Sequence, residues 1–268
     1  MIIIGEKINS TLKAVRPAIE AYDTETIQNL AKKQAEVGSA YIDVNAGMFV
    51  DDEPQRLAWL VETVQAVVDT PLCLDSPSAV ALEAGLKAYR GDTVPMINSI
   101  TDEKDRFEAI LPLVLKYKTK VIALCMDDTG MPETGEGRYV IAERLIGKLT
   151  DAGVKLGDIY IDPLVRPVST GSHYGMAAID TIRRVKTEYP EVHIACGLSN
   201  VSFGLPQRKL INQTFLVAAM TAGMDGAILD PLDNKLMAFV AAAEAVLGAD
   251  EFCIEYLDKY RNGLFDEM

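Results

Sequence analysis

Short apolar runs in this chain end, one after another, in an acid or a carboxamide. In order they close on Glu6 and Asn9, Asp43 and Asn45, Asp75 with Ser76, and Asn98 with Ser99. Asp127 with Asp128, Asp162, Ser199 with Asn200, and Asp230 complete the series. Any one of these has an ordinary reading as a turn residue or helix N-cap. Recurrence after every apolar run points instead to a shared polar mouth. A carboxylate accepts paired N–H groups from an amidine-like edge, and a carboxamide both donates and accepts. Such a set, with few Lys or His among it, suits a flat heterocycle carrying several N–H donors and a lactam carbonyl. A phosphate ligand would call for glycine-rich amides or a basic cluster. Neither GxGxxG nor GxxxxGK[ST] occurs.

The elements that must position these residues alternate along the chain. Strands are expected at 2–7, 40–45, 72–75, 94–98, 121–126, 159–163, 193–198 and 226–229. Helices are expected at 25–37, 55–68, 79–89, 105–117, 139–152, 177–189, 210–222 and 235–247, where apolar residues recur three and four apart. Gly38, Gly153 and Gly223 follow helical runs, as left-handed C-caps do. Continuous apolar strands between helices imply a parallel sheet covered by helices. Eight such units in about 250 residues fit an α/β (β/α)8 TIM barrel, whose chemistry sits at the C-terminal strand ends. Residues 1–268 are expected to form one domain, with 250–268 a C-terminal helical extension.

Composition narrows the function classes. The chain is 49% hydrophobic and 24% charged, a globular balance, and its formal net charge of −13 argues against a nucleic-acid or anionic-membrane surface. MIIIGEKINS lacks the basic start of a secretory signal, and no apolar run approaches the roughly 18 residues of a membrane span. Cysteines 73, 125, 196 and 253 show no CxxC spacing, and three lie in apolar runs as small hydrophobes. No metal site and a cytoplasmic location are the expectation. His173 reads as a solvated loop residue, His193 as structural and Trp59 as core. The acids of 51–56 read as a helix start. Arg166, Arg208 and Lys209 are the basic residues available to an anionic tail.

The strings GEKIN, DVNAG, LCLDS, MINS, YIDPL and GLSNVS, with NQTFL later, follow one another at family-like intervals. They resemble the pterin-binding, corrinoid-dependent methyltransferases, of which methyltetrahydrofolate:corrinoid/iron–sulfur protein methyltransferase is a member. In such families the fold is shared with the folate domain of cobalamin-dependent methionine synthase and, more distantly, with dihydropteroate synthase. The resemblance implies a pterin floor of Asp75, Asn98 and Asp162. Asn200 would lie near the methyl-bearing N5, flanked by Gly197 and Ser199, with Arg208 reaching the ligand outside its ring. Glu6, Asp43, Asn45 and Ser202 are further candidates. The family's glutamine-type position just after SNVS is Phe203 here, which removes any polar contact at that spot.

The same resemblance implies tetrahydrofolate and 5-methyltetrahydrofolate as substrates and a corrinoid (cobalamin) carried by a separate protein. It also implies a homodimer, for which Phe239, Val240, Val246 and Leu247 on the last helix offer an apolar side. Charge building on N5 needs a hydrogen bond that strengthens in the transition state, the role open to Asn200, with Asp43 as a relay through water. Competing readings are a dihydropteroate synthase-like C–N bond-forming enzyme, a zinc-dependent thiol methyltransferase and a catalytically silent pterin-binding module.

Overall fold

The computed structural model describes residues 1–266. The strands are β1 (Ile2–Asn9), β2 (Tyr41–Asn45), β3 (Leu72–Asp75), β4 (Met96–Thr101), β5 (Lys120–Leu124), β6 (Ile159–Asp162), β7 (His193–Gly197) and β8 (Gly226–Leu229). They close in sequence order into a barrel, β1 pairing with β8, and every pair is parallel. Around it run α1 (Arg16–Glu20), α2 (Thr24–Glu36), α3 (Glu53–Gln65), α4 (Ala79–Ala88), α5 (Lys104–Tyr117), α6 (Gly135–Asp151), α7 (Tyr174–Glu188), α8 (Arg208–Thr221) and α9 (Asn234–Val246). This is the TIM barrel that the alternation of apolar strands and amphipathic helices implies.

Two apolar layers make the core. The larger lies between the sheet and the helices and includes Ile42, Val44, Leu72, Leu74, Ile97, Val121 and Ile161. The smaller fills the barrel interior with Ile4, Tyr41, Cys73, Met96, Ile122, Tyr160 and Ala195. Side chains alternate along a strand, so the next inward positions toward the C-terminal rim are Glu6, Asp43, Asp75, Asn98, Leu124, Asp162 and Gly197. Asp230 continues the inward series of Ile228 beyond β8. The apolar plug ends where the polar ring begins.

Several boundaries differ from the sequence reading, for local reasons. Helix α6 starts at Gly135, four residues before the expected start at 139, because the Thr134 side chain accepts from the Gly137 N–H at 3.1 Å and caps it there. Strand β4 continues to Thr101, past Asn98, and β5 stops at Leu124. The five-residue α1, with Pro17 in its first turn, was not anticipated. Gly38, Gly153 and Gly223 adopt φ of +84°, +98° and +112°, the left-handed caps expected of them. The extension carries α10 (Ile254–Arg261), while 267–268 lie outside the described residues. The apolar side expected of α9 is not free. Val240 is buried and Phe239 packs on the core, because this stripe faces the barrel, leaving Val246 and Leu247 exposed.

Candidate active site

Three neighbouring strand ends form a continuous polar row. Asn45 sits opposite Asp75, and Asp75 opposite Asn98. The Asn45 carboxamide donates from Nδ2 to Asp75 Oδ2 at 2.9 Å. Its own Oδ1 accepts from Ser10 Oγ at 2.8 Å and from the Gly47 N–H at 3.0 Å. Asn45 is therefore a bracket that fixes Asp75, rather than a free ligand-facing amide. Burial pushes the Asp75 carboxyl up to about 6, and the Asn45 bond and the Arg106 charge hold it from rising further.

Arg106 was invisible to the sequence reading, which expected a rim with almost no cations. It reaches in from α5. Its Nη2 donates to the Ser99 carbonyl at 3.0 Å and its Nη1 to the Pro77 carbonyl at 3.1 Å, while Nε is buried without an acceptor. This ties the loop after β3 to the C-terminal part of β4. Glu53 was also missed. As the first residue of α3 it is buried, and it accepts from Ser76 Oγ at 2.6 Å, pinning the residue next to Asp75.

Asp43 lies under the row and is only 1% exposed. Cys73 and Asn98 stand beside it, and its Oδ1 has no hydrogen-bond partner. Burial first, and the Asp75 charge second, push its carboxyl well above the usual range. Its neighbours are on β3 and β4, four and three strands around the barrel from β7. Glu6 is pushed up to about 7 by burial and by Asp230, against the opposing charges of Lys7 and Arg208. Lys7 Nζ bonds Asp230 at 2.7 Å, placing a second unanticipated cation on the rim.

The opposite side of the mouth is built by β6 and β7. The Leu164 N–H donates to Asp162 Oδ1 at 2.7 Å, and the Gly197 N–H also reaches this carboxylate. Burial still dominates and pushes Asp162 up to about 7. After β7 the chain makes a 3-10 turn at Leu198–Ser202. Arg208 braces it, donating from Nη2 to the Ser199 carbonyl at 2.7 Å and from Nε to Ser202 Oγ at 3.0 Å. Ser202 is buried and donates to the same Ser199 carbonyl at 3.2 Å, so it is a strut of the turn and does not line the mouth. Asn200 is exposed on this turn. A Cβ added at Gly197 would lie 3.1 Å from Asn200 Nδ2, so the glycine leaves room for the carboxamide to fold back over the strand end.

Other strand-end residues have local duties. Asp127 accepts from Thr129 and pairs with Arg144, and Asp128 accepts from the Lys104 N–H. His193 bonds Asp225 at 2.9 Å and stacks on Tyr160 at the N-terminal end of the barrel, while His173 is exposed in a loop. Trp59 packs on the core, edge-on to Tyr22. Arg166 lies over the Tyr174 ring and Lys209 pairs with Asp233.

The stretch from residue 5 to residue 230, which spans this whole ring from Glu6 to Asp230, matches the family model described as pterin binding enzyme. The chain belongs to that family. Within reach of this pterin binding enzyme in sequence is the methylcorrinoid:tetrahydrofolate methyltransferase of Eubacterium limosum. The two are 37% identical over 265 residues, covering 98% of this chain and 97% of the relative. Methionine synthase of Mycobacterium tuberculosis is 32% identical over 242 residues, 85% of this chain but 20% of that longer protein. Among solved structures, dihydropteroate synthase of Yersinia pestis in a sulfonamide complex superposes with a TM-score of 0.70 at 15% identity, covering 92% of this chain and 94% of that one. The enzyme from Vibrio fischeri gives 0.69 at 17%, with 92% of each chain covered. At such identity the likeness speaks to the fold alone.

Proposed function

We propose that this pterin binding enzyme moves a methyl group between N5 of tetrahydrofolate and the cobalt of a corrinoid held by a separate protein. One observation carries the reading: identity to a methylcorrinoid:tetrahydrofolate methyltransferase runs along almost the whole of both chains. The mouth supplies chemistry to match. Asp75, Asn98 and Asp162 offer two carboxylates and a carboxamide to the N–H donors and carbonyl of a pterin. Transfer from N5 to Co(I) breaks the N5–methyl bond, forms a Co–methyl bond and leaves N5 to take a proton. In the reverse direction the N5 lone pair attacks the methyl group and N5 loses that proton.

Asn200 cannot give up a proton at neutral pH, but it orients water and donates a hydrogen bond as charge changes on N5. Glu6 and Asp162, both near 7, one feeling the Arg208 charge and the other bonded to the Gly197 N–H, are better placed than buried Asp43 to exchange that proton through water. Arg208 keeps its expected role toward the ligand's arm in addition to bracing the turn. Residues 1–268 act as one unit with 250–268 appended, in a cytoplasmic homodimer. The three buried free cysteines support a reducing compartment, and sedimentation velocity at micromolar protein reads the dimer. No helix among the described residues is long and apolar enough to cross a membrane. Incubation with tetrahydrofolate and methylcobalamin, followed by corrinoid absorbance, tests the activity. Demethylation of the cobalamin with formation of 5-methyltetrahydrofolate is expected, and no change over the protein-free rate rejects it.

A further inference from the structure

Phe203 departs from the family pattern, and its setting is not that of a loose surface residue. It is 66% exposed, yet its backbone is held at both ends. Its N–H donates to the Asn200 carbonyl at 3.2 Å, and its own carbonyl accepts from Ser169 Oγ at 2.7 Å. Gly204 follows with φ of +80° and turns the chain away. The ring centroid lies 5.8 Å from the Arg208 guanidinium carbon. That guanidinium is fixed by Ser199 and Ser202, and its charge reaches Glu6 inside the mouth. The ring therefore stands on the rim beside the mouth, three residues beyond Asn200.

A large aromatic ring carried on a backbone fixed at both ends, beside a guanidinium at the mouth, is pre-set to stack on a ligand ring with little ordering left to do on binding. What covers it follows from the proposed reaction, on which this inference rests. If Asn200 faces N5, the substituent on the adjacent pterin carbon C6 leaves the ring toward the same turn. In tetrahydrofolate that substituent is a p-aminobenzoyl group followed by glutamate. We propose that Phe203 stacks on the p-aminobenzoyl ring, so that this chain selects folates over pterins lacking that arm. The Arg208 guanidinium beside the ring supplies the positive charge nearest the glutamate carboxylates.

The test uses two reduced pterins, tetrahydrofolate and 6-methyltetrahydropterin, whose binding to the full chain is measured by anaerobic calorimetry without any corrinoid. The wild-type protein should prefer tetrahydrofolate. Phe203→Ala should weaken tetrahydrofolate about five- to tenfold, the scale of one aromatic pair, while 6-methyltetrahydropterin moves less than twofold. Phe203→Tyr should keep the preference, since it keeps the ring. Equal weakening of both pterins, or of neither, overturns the proposal. So does a defect of Phe203→Ala confined to the corrinoid protein's KM, which would make the ring a partner contact. Failure of the wild type to bind either pterin overturns the reaction itself, and this inference with it.

Discussion

Asn45 and Asp75, on adjacent strands, are joined by a 2.9 Å hydrogen bond from the carboxamide to one carboxylate oxygen. Asn45 is saturated on its acceptor side by Ser10 and Gly47, so the bond holds Asp75 in one orientation. Asn45→Ala is expected to weaken tetrahydrofolate binding by about 1–2 kcal/mol, the scale of a lost hydrogen bond to a charged group. The bond also keeps the Asp75 carboxyl from rising above about 6. Its loss raises that value, so the deficit should be larger at pH 6 than at pH 8. Calorimetric titrations at both pH values read this out, and a pH-independent deficit would count against it.

Asp162 links the site to stability. Its carboxyl is pushed up to about 7 by burial, against roughly 4 in an unfolded chain. Between those values the folded state binds more protons, so this group's contribution to stability falls as pH rises through them. Asp162→Asn removes the cost of ionisation. The variant should match the wild type near pH 4.5 and exceed it at pH 8 by on the order of 2–4 kcal/mol, while losing pterin affinity. Urea unfolding across this range provides the measurement.

Asn200→Ala separates binding from transition-state stabilisation. Loss of a group that only holds substrate raises KM and spares kcat. Loss of one preorganised donor should lower the single-turnover methyl transfer rate by on the order of a hundredfold at saturating pterin and corrinoid. A rate within threefold of wild type would assign the task to another rim group.

Gly197→Ala probes the same amide without touching it. The new methyl would stand 3.1 Å from Asn200 Nδ2, so the carboxamide must move by a few tenths of an ångström. Misplacement on this scale should slow transfer at least tenfold while the melting temperature changes little, because Gly197 already has the ordinary extended backbone of φ −67°, ψ 95°. An unchanged rate would show that the amide is not held against the strand end.

The barrel and the acid-and-amide ring were legible because buried parallel strands leave uninterrupted apolar runs, and a run's end marks the rim. The ring's membership was less so. Asp127 and Asp128 follow an apolar run as Asp75 does, but β5 stops at Leu124, and both residues turn out to bind Thr129, Arg144 and the α5 N-terminus. Arg106 and Glu53 sit on α5 and α3, where a charged residue normally reads as solvent-facing. Only the approach of a helix to its own loops buries them. Ser202 closes the turn that carries Asn200, yet the 3-10 geometry rotates its hydroxyl inward to Ser199 and Arg208.

The burial of Glu6 and Asp162 in one mouth, each with its carboxyl pushed up to about 7, makes the site a small proton store near neutral pH. A pterin that offers N–H donors favours the ionised carboxyls and must drive some of those protons out. Pterin capture by the proposed site should therefore release protons to the surrounding solution. The heat of binding should change with the ionisation enthalpy of the buffer, as between phosphate and imidazole at the same pH.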